Sequence, residues 1–581
     1  MLGSALFRHA SRSLAAQAPT AVLTRQVRTT TLRKAVGVDR AFAADKAQSE
    51  ADALAKITTL PNGVRIATQN TPGYFCGLGI YVDVGSRCET SATSGSCHLI
   101  DRLAFKSTRG LSAEQVNHEV ESMGANFQRA SSRENILYQA SVFRADLPRV
   151  VSLMAEVTRY PQITPEELDE QRQIVTWELA EMQAKPELML PELLHQVAYQ
   201  GNTLGRPLQC SEDRLLTVQP QDIHQFMTKW FTADRMVVAA IGAPHDQVCE
   251  LVERHFGDMK PCPSFVGHRT VKLDALKPED LAPKVTKAPP GSNANNSLWD
   301  SFTHTATKVL GQTGAPQPSP LDQASPATIA DLPAEYTGGM HLQSDPAATY
   351  SHLHLGFEAP GMSTPAIYAL AVLQILLGGG DSFSAGGPGK GMYSRLYTQV
   401  LNRYMFVESC MAFTYSYRDT SLFGISASCD PRATGSMLEI MIQQLVSLLP
   451  PPPRDGTHYD YYPALESQNQ DSSVTTRYTM TCRGFDQTEV SRAKNQLKSS
   501  LMMNLESRPI QLEDLGRQVQ GFGVALTPQE MCRFIDQVTA EDLYRLVHRI
   551  LSSKPTLVAT GNVSDLKSNA ATLLKSYGIG A

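Results

Sequence analysis

The residues RMVVAAIGAPHDQVCELVERHFG (235–257) form a β-branched strand pattern ending at glycine, a short turn containing aspartate, and an amphipathic helix pattern closing on Phe-Gly. With one gap, this stretch aligns with PTLVATGNVSDLKSNAATLLKSYG (555–578), which closes on Tyr-Gly. The preceding helical runs match as well, because Leu168–Pro186 aligns with Ser491–Pro509 at a constant offset of 323. Two matches in the same order predict a chain built from two homologous halves.

The predicted halves span about residues 55–285 and 335–581, and their patterns are of the α+β class. In the first half, alternating and apolar strand patterns are interleaved with helical spacing, notably at Leu147–Thr158 and Pro165–Gln183. This order predicts an antiparallel sheet in each half, with helices packed against it. Residues 286–334 are rich in Pro, Gly, Ser, Ala and Asn, which predicts a flexible linker between the halves. Residues 450–475 open with prolines and continue polar, which predicts a surface insertion.

Composition and charge exclude several classes of protein. The 581 residues are 42% hydrophobic and 19% charged, as in folded globular proteins, and no apolar run reaches the roughly 18–20 residues of a membrane span. The net charge of −5 argues against nucleic acid as a partner. The ten cysteines contain no C-x-x-C pair, which indicates reduced, mostly buried thiols rather than disulfides.

The N-terminal segment has a charge opposite to the rest of the chain. Residues 1–35 hold six basic residues and no acid, with Ser, Thr, Ala and apolar residues between them. This composition is typical of a mitochondrial transit peptide, the alternative being a disordered basic tail. Removing those six charges from −5 leaves −11 for the remainder.

Residues 95–108, GSCHLIDRLAFKST, carry a second signal. The stretch resembles the zinc-site helix of the pitrilysin-type metallopeptidases, in which an inverted H-x-x-E-H motif precedes a Phe-Lys-Gly-Thr-like end. In that family both histidines bind zinc, the glutamate between them activates water, and a glutamate from a later helix is the third ligand. His98 matches the first histidine, and Glu178 lies at the spacing and in the context of the third ligand.

The chain departs from this motif at two positions. Asp101 replaces the glutamate and Arg102 replaces the second histidine. A guanidinium has only donors and stays protonated, so it cannot coordinate zinc, and a catalytic zinc site needs three protein ligands. Leu501 aligns with Glu178 in the second half, which therefore offers no replacement site. The sequence predicts no catalytic residue and no bound metal. It also predicts a bidentate ion pair between Arg102 and the Glu178 carboxylate, the alternative being that Arg102 points into solvent.

A glycine-rich segment, residues 378–391, follows an apolar helical run in the second half. Ser384 and Gly391 break the Walker pattern around Lys390, and G-x-G-x-x-G also fails, so nucleotide binding is not indicated. Seven glycines in fourteen residues predict a mobile strip whose backbone groups can pair with an extended peptide, the alternative being a passive connection.

This segment and the residues after it, which end GPGKGMYSRLY at Tyr397, closely resemble the glycine-rich loop of the alpha subunits of mitochondrial processing peptidases, a non-catalytic branch of the pitrilysin-type family. The resemblance covers nearly all of residues 55–581. It implies a heterodimer in the mitochondrial matrix, in which this chain holds no cofactor and a catalytic beta subunit holds zinc. This chain would bind Arg-rich presequences of imported proteins and present them to that zinc. The substrate-binding residues implied are Gly378, Gly379, Gly380, Ser382, Phe383, Gly386, Gly387, Gly389, Lys390 and Gly391.

Two other functions compete with this expectation. The first is a structural core subunit of the cytochrome bc1 complex, peripheral to the inner membrane, since those subunits share the fold and lack working zinc sites; one protein can serve both roles. The glycine-rich segment argues against a purely architectural subunit. The second is a self-sufficient metallopeptidase, against which Asp101 and Arg102 argue.

Overall fold

The computed structural model describes residues 54–263, 278–281, 329, 332–382, 392–451 and 481–579. The chain from Asp52 onward forms one compact unit. The predicted transit peptide, Phe383–Gly391 of the glycine-rich segment, and most of the predicted linker and of the 450–475 insertion lie outside the described residues.

The first half is built around a six-stranded sheet with the order β1-β2-β6-β3-β5-β4. Neighbouring strands are antiparallel except β2 and β6, which are parallel. The long, mostly helical connection between them allows the chain to return in the same direction. The strands are β1 (Lys56–Thr59), β2 (Arg65–Gln69), β3 (Phe75–Val82), β4 (Asn126–Ser131), β5 (Ile136–Phe143) and β6 (Met236–Ile241).

The second half repeats this arrangement in a sheet with the order β7-β12-β8-β11-β10-β9. Here β7 and β12 are the parallel pair, as β2 and β6 are in the first sheet. The α+β class and the two halves are therefore confirmed, whereas the prediction of antiparallel sheets needs correcting to mixed sheets. The strands are β7 (Gly339–Ser344), β8 (Ser351–Pro360), β9 (Gly379–Asp381), β10 (Val407–Ser416), β11 (Thr420–Cys429) and β12 (Thr556–Gly561).

Helices pack on both sheets, and their ends follow the local sequence. The fourth helix begins after Thr164, whose hydroxyl accepts a hydrogen bond from the backbone N–H of Glu167, and Pro165 occupies the first turn. The first-half helices are α1 (Ser96–Leu103), α2 (Ala113–Ser122), α3 (Leu147–Arg159), α4 (Pro165–Ala184), α5 (Pro186–Tyr199), α6 (Glu212–Thr217), α7 (Pro220–Trp230) and α8 (His245–Phe256). The second-half helices are α9 (Ala366–Leu377), α10 (Thr434–Val446), α11 (Gln487–Leu505), α12 (Arg508–Phe522), α13 (Pro528–Gln537), α14 (Ala540–Leu551) and α15 (Ser564–Ser576).

Each half lends one helix to the sheet of the other. Helix α12 of the second half covers one face of the first sheet, where its Leu512, Leu515 and Val519 join a buried cluster with Tyr81. The Tyr81 hydroxyl donates to the Leu512 carbonyl at 2.9 Å. A Cβ at Gly516 would lie 2.1 Å from the Tyr81 ring, so glycine allows this close approach.

Helix α5 of the first half makes the reciprocal contact. Its Leu190 and Leu194 are fully buried against the second sheet, together with Leu422 and Val558. Burying a leucine side chain contributes about 1.5–3 kcal/mol, so the two exchanged helices tie the halves together strongly.

The matching hairpin turns of the two sheets also meet. The Arg87 guanidinium, which is buried, bonds Glu134 at 2.6 Å in the turn between β4 and β5. It also bonds both oxygens of Asp419, at 2.8 and 2.7 Å, in the turn between β10 and β11. This bridge, bidentate to Asp419, links the two hairpin turns through a buried guanidinium.

Packing does not follow the predicted boundary at residue 285. Leu281 lies in the core of the second half, whereas Ile329, inside the predicted linker, lies in the core of the first. The boundary at residue 285 stays a prediction from the sequence.

Among the described residues, no helix has the length and apolar character needed to cross a bilayer. All ten cysteines are free thiols, and seven of them are buried, as predicted.

Candidate functional site

The site resembling a zinc centre is built on helix α1, which begins over a buried carboxylate. Glu89 accepts hydrogen bonds from the backbone N–H groups of Gly95 and Cys97, both at 2.8 Å. Gly95 has a φ of 80° and leaves no room for a side chain, since a Cβ there would lie 2.4 Å from the Cys210 sulfur. Burial raises the pKa of Glu89 to about 7, although these two N–H groups favour the charged form.

His98 is the first motif residue, and it is buried in one fixed orientation. Its Nδ1 accepts a hydrogen bond from the backbone N–H of Cys210 at 3.2 Å. Its Nε2 faces Glu178 Oε2 at 3.7 Å. Burial, followed by the charge of Arg102, lowers the pKa of His98 to about 4, so the ring is neutral at physiological pH.

Arg102 lies between His98 and Glu178. Its Nε is 3.2 Å from Glu178 Oε2 and 3.5 Å from His98 Nε2. The predicted proximity of Arg102 to Glu178 is confirmed, although the contact is made through one nitrogen rather than through a bidentate pair. Both side chains are about one-third exposed, so the ion pair is open to solvent on one side.

Asp101, at the position of the catalytic glutamate, points to a different partner. Its Oδ1 is 3.2 Å from Arg129 Nε, on the edge strand β4. Burial raises the pKa of Asp101, whereas the neighbouring Arg129 and Arg102 lower it. Asp101 therefore forms an ion pair with Arg129.

The geometry shows that a guanidinium occupies the position of one zinc ligand. Zinc bonded at roughly 2.0–2.2 Å holds neighbouring ligand atoms about 3.3–3.6 Å apart. His98 Nε2, Glu178 Oε2 and Arg102 Nε form a triangle with edges of 3.7, 3.2 and 3.5 Å. Two of its three corners are zinc-ligand atoms, but the third is a protonated donor with no lone pair. The residues present do not fit zinc. Within the described ranges, no group of three or more His, Cys, Asp or Glu is placed to hold a metal ion.

The first residues of the glycine-rich segment, which the structure describes, are paired into the second sheet. Gly379–Asp381 form β9, whose partners on β10 are Met411, Cys410 and Ser409. Gly379 has a φ of 101°, and a Cβ there would lie 2.0 Å from the Cys410 carbonyl oxygen. The expectation that the whole strip has unpaired backbone groups is therefore wrong for these first residues. Ser382 follows them, with its N–H donating to the Glu408 carbonyl at 2.7 Å. The other residues implied in substrate binding, Phe383, Gly386, Gly387, Gly389, Lys390 and Gly391, lie outside the described residues.

A cavity of about 320 Å³ opens directly after the glycine-rich segment. It lies between α11, the C-terminal end of α9 and residues 392–394. Ile375, Leu376, Met392, Tyr393 and Met503 line it. Tyr393 is 70% exposed and Met503 is 61% exposed, so the mouth presents large apolar side chains to solvent.

Sequence reasoning missed Glu89 and Arg129. Glu89 lies nine residues before His98 in the chain, with no motif around it, and only the fold brings its carboxylate to the start of α1. Arg129 follows no spacing rule, although an acid at the motif's glutamate position is a signal that a basic partner is needed nearby.

Family models match most of the folded region. Residues 65–212 match insulinase (peptidase family M16), and residues 217–453 match the peptidase M16 inactive domain. Among solved structures, a chain titled complex III2 from Candida albicans aligns with a TM-score of 0.62 at 17% identity, covering 90% of this chain and 99% of that chain. A protease from Helicobacter pylori aligns with a TM-score of 0.62 at 16% identity, covering 87% and 99%. At these identities both likenesses show the fold alone.

Curated relatives are more similar. The mitochondrial-processing peptidase subunit alpha of Neurospora crassa is 42% identical over 523 residues, covering 87% of this chain and 84% of that protein. A probable alpha subunit from Schizosaccharomyces pombe is 34% identical, covering 90% and 88%, and the human alpha subunit is 31% identical, covering 88% and 82%. The chain has two halves of the M16 type, and Arg102 lies beside His98 and Glu178 in what we call the arginine-filled centre. It is also similar to these alpha subunits over most of their length. The chain therefore belongs to the mitochondrial-processing peptidase alpha-subunit family, within the M16 peptidases.

Proposed function

We propose that this chain is the non-catalytic subunit of a heterodimeric mitochondrial processing peptidase, working in the matrix after loss of its transit peptide. In this role it binds the Arg-rich presequences of imported proteins and presents them to the zinc site of a catalytic beta subunit. It carries no zinc or other cofactor of its own.

The observation that carries the proposal is the position of Arg102. Its guanidinium lies within 3.2 Å of Glu178 and 3.5 Å of His98, at the corner where a second histidine would complete the ligand set. A protonated guanidinium repels a divalent cation and supplies no lone pair. The chain has the fold of a peptidase but an incomplete set of zinc ligands. Its contribution to proteolysis in this proposal is therefore the binding of substrate.

Two further features support a role in presequence binding. The chain beyond residue 35 carries a formal charge of −11, which favours encounter with an Arg-rich peptide. The cavity after the glycine-rich segment has an apolar part formed by Met392, Tyr393 and Met503, which suits side chains from the apolar face of an amphipathic presequence, and a polar part that includes Glu489 and Arg492. Methionine adapts to different apolar shapes, which suits substrates of varied sequence.

Affinity purification of the tagged chain from mitochondria tests the proposal. We expect recovery of a partner with an intact H-x-x-E-H motif, and cleavage of a presequence peptide by the pair but not by this chain alone. Recovery only within a respiratory complex, with no processing activity, would favour the architectural role instead. Cleavage by this chain alone would refute the proposal.

A further inference from the structure

A tryptophan on helix α4 lies in solvent next to the arginine-filled centre. Trp177 directly precedes Glu178 in the helix, and its side chain is 73% exposed. Single exposed apolar side chains are common at protein surfaces, so exposure alone indicates no function. Trp177 differs from an ordinary surface residue in the charges around it and in the accessibility of its ring.

The helix around Trp177 is strongly acidic. Between Pro165 and Ala184 it carries six carboxylates and one guanidinium. The helical repeat places Glu181, one turn after Trp177, and Glu170, two turns before it, on the same face as the indole. Both carboxylates are more than half exposed, and each pairs with one lysine. Exposed pairs of this kind contribute little to stability, so a cation from another molecule can share or replace the lysine.

The indole of Trp177 is open to such a cation. Among the residues that the structure describes, no aromatic ring, cation or hydrogen-bond partner contacts it. Trp230, in the same half, is buried and already has two cations over its ring. The Arg235 guanidinium carbon is 4.8 Å from that ring's centroid, and the Lys229 nitrogen is 5.6 Å from it. The electron-rich face of an indole attracts cations in this way, and Trp177 presents the same face to solvent.

We propose that Trp177 binds an arginine side chain of the presequence, with the guanidinium stacked on the indole and the carboxylates of α4 around it. This inference rests on the function proposed above, which supplies an Arg-rich peptide as the ligand. Arginine suits the site better than lysine, because its planar and weakly hydrated guanidinium stacks on aromatic faces. Glu178, the next residue, matches the third zinc ligand, so the site lies where a peptidase of this fold brings a peptide to its metal.

Peptide affinity of the full-length heterodimer tests the proposal. The beta subunit carries glutamine in place of its motif glutamate, so that a fluorescein-labelled, Arg-rich presequence peptide stays intact during anisotropy titrations. Trp177→Leu keeps an apolar side chain but removes the aromatic face, and we expect it to weaken binding at least threefold. Trp177→Phe keeps a ring and should recover most of the affinity. Tyr74→Leu, at another highly exposed aromatic residue of the first half, is the matched control and should bind like the native chain.

A peptide series identifies the group that Trp177 binds. Each arginine of the peptide is replaced in turn by citrulline, which keeps the shape of the side chain but carries no charge. We expect one replacement to weaken binding to the native heterodimer at least threefold and to cause no further loss in Trp177→Leu. Equal affinity of the native chain and Trp177→Leu, an equal loss in Tyr74→Leu, or the absence of such a coupled arginine would overturn this inference and leave the proposed function standing. A native heterodimer that does not bind the peptide would overturn both.

Discussion

At Arg102, a side-chain cation occupies the position of the second histidine ligand, beside His98 and Glu178. His98 Nε2 and Glu178 Oε2 are still 3.7 Å apart, close to the spacing of two atoms bound to one zinc ion. Because these two ligand atoms already have this spacing, a histidine at position 102 should complete much of a metal site.

Arg102→His is therefore expected to create a zinc site from His98, the new histidine and Glu178. Metal analysis after dialysis against micromolar zinc should give close to one zinc per chain for this variant. Arg102→Gln, which removes the charge without adding a ligand, is the control and should give none. Equal zinc content in the two variants would show that the remaining ligands are not arranged for metal.

Protonation of His98 provides a pH-dependent prediction. Its pKa falls from 6.5 to about 4 on folding, so its contribution to stability is present above pH 6.5 and is lost as pH falls toward 4. A shift of this size corresponds to about 3 kcal/mol. His98→Gln, whose side-chain oxygen can accept the Cys210 N–H, should lose less stability between pH 7 and pH 4.5 than the native chain. Urea unfolding at the two pH values measures this, and identical losses would contradict it.

The residues of the centre could be predicted from sequence only where spacing encodes position. His98, Asp101 and Arg102 share a helix, and the resemblance to the zinc-site motif implied that Glu178 lies beside them. Glu89 and Arg129 reach the same place through a loop and an edge strand. No sequence spacing encodes those contacts, because tertiary packing sets them.

At the scale of elements, an apolar or alternating pattern marks a strand in the sequence, and two polar edge strands lack that pattern. Strand β4 has the sequence NFQRAS and is mostly exposed, so it lacks the apolar alternation that marks a half-buried strand. Strand β9 consists of Gly-Gly-Asp, a composition that predicts loop. Both are edge strands, held by hydrogen bonds to one neighbour rather than by burial.

We expect the first residues of the glycine-rich segment to contribute to stability and its later residues to contribute to substrate binding. Gly379→Ala places a Cβ against the Cys410 carbonyl at a positive φ, and we expect a loss of about 1–3 kcal/mol in unfolding free energy. Deleting Gly386–Gly391 should instead leave thermal stability and heterodimer assembly intact while presequence turnover falls at least tenfold. Calorimetry and a peptide cleavage assay on both variants measure this. Unchanged turnover in the deletion would contradict a substrate role.

At the scale of the molecule, the two exchanged helices make the halves interdependent. Without α12 the first sheet would expose the face that contains Tyr81 and Ile241, and without α5 the second would expose Leu422 and Val558. The repeat predicted two halves but not this exchange, because an alignment of helices does not say which sheet each one covers.

Cleaving the chain between its halves should therefore leave it assembled. With a protease site inserted near residue 300, we expect the cut protein to elute as one species in size-exclusion chromatography. Its melting temperature should lie within a few degrees of the intact chain. Each half expressed alone should aggregate, because it exposes an apolar sheet face and an orphan apolar helix. Separation of the cut halves in native buffer would show that the exchanged helices contribute little.

The most direct test of the central claim compares one substitution in each subunit of the heterodimer. Glu178→Gln in this chain changes the residue matching the third zinc ligand, and the same change in the beta subunit alters its own third ligand. If this chain only binds and presents substrate, the first heterodimer should cleave a presequence peptide at near the native kcat and retain its zinc. The second should lose both zinc and activity. Loss of zinc and of kcat in the first would contradict the account, because it would place a working metal centre in this chain.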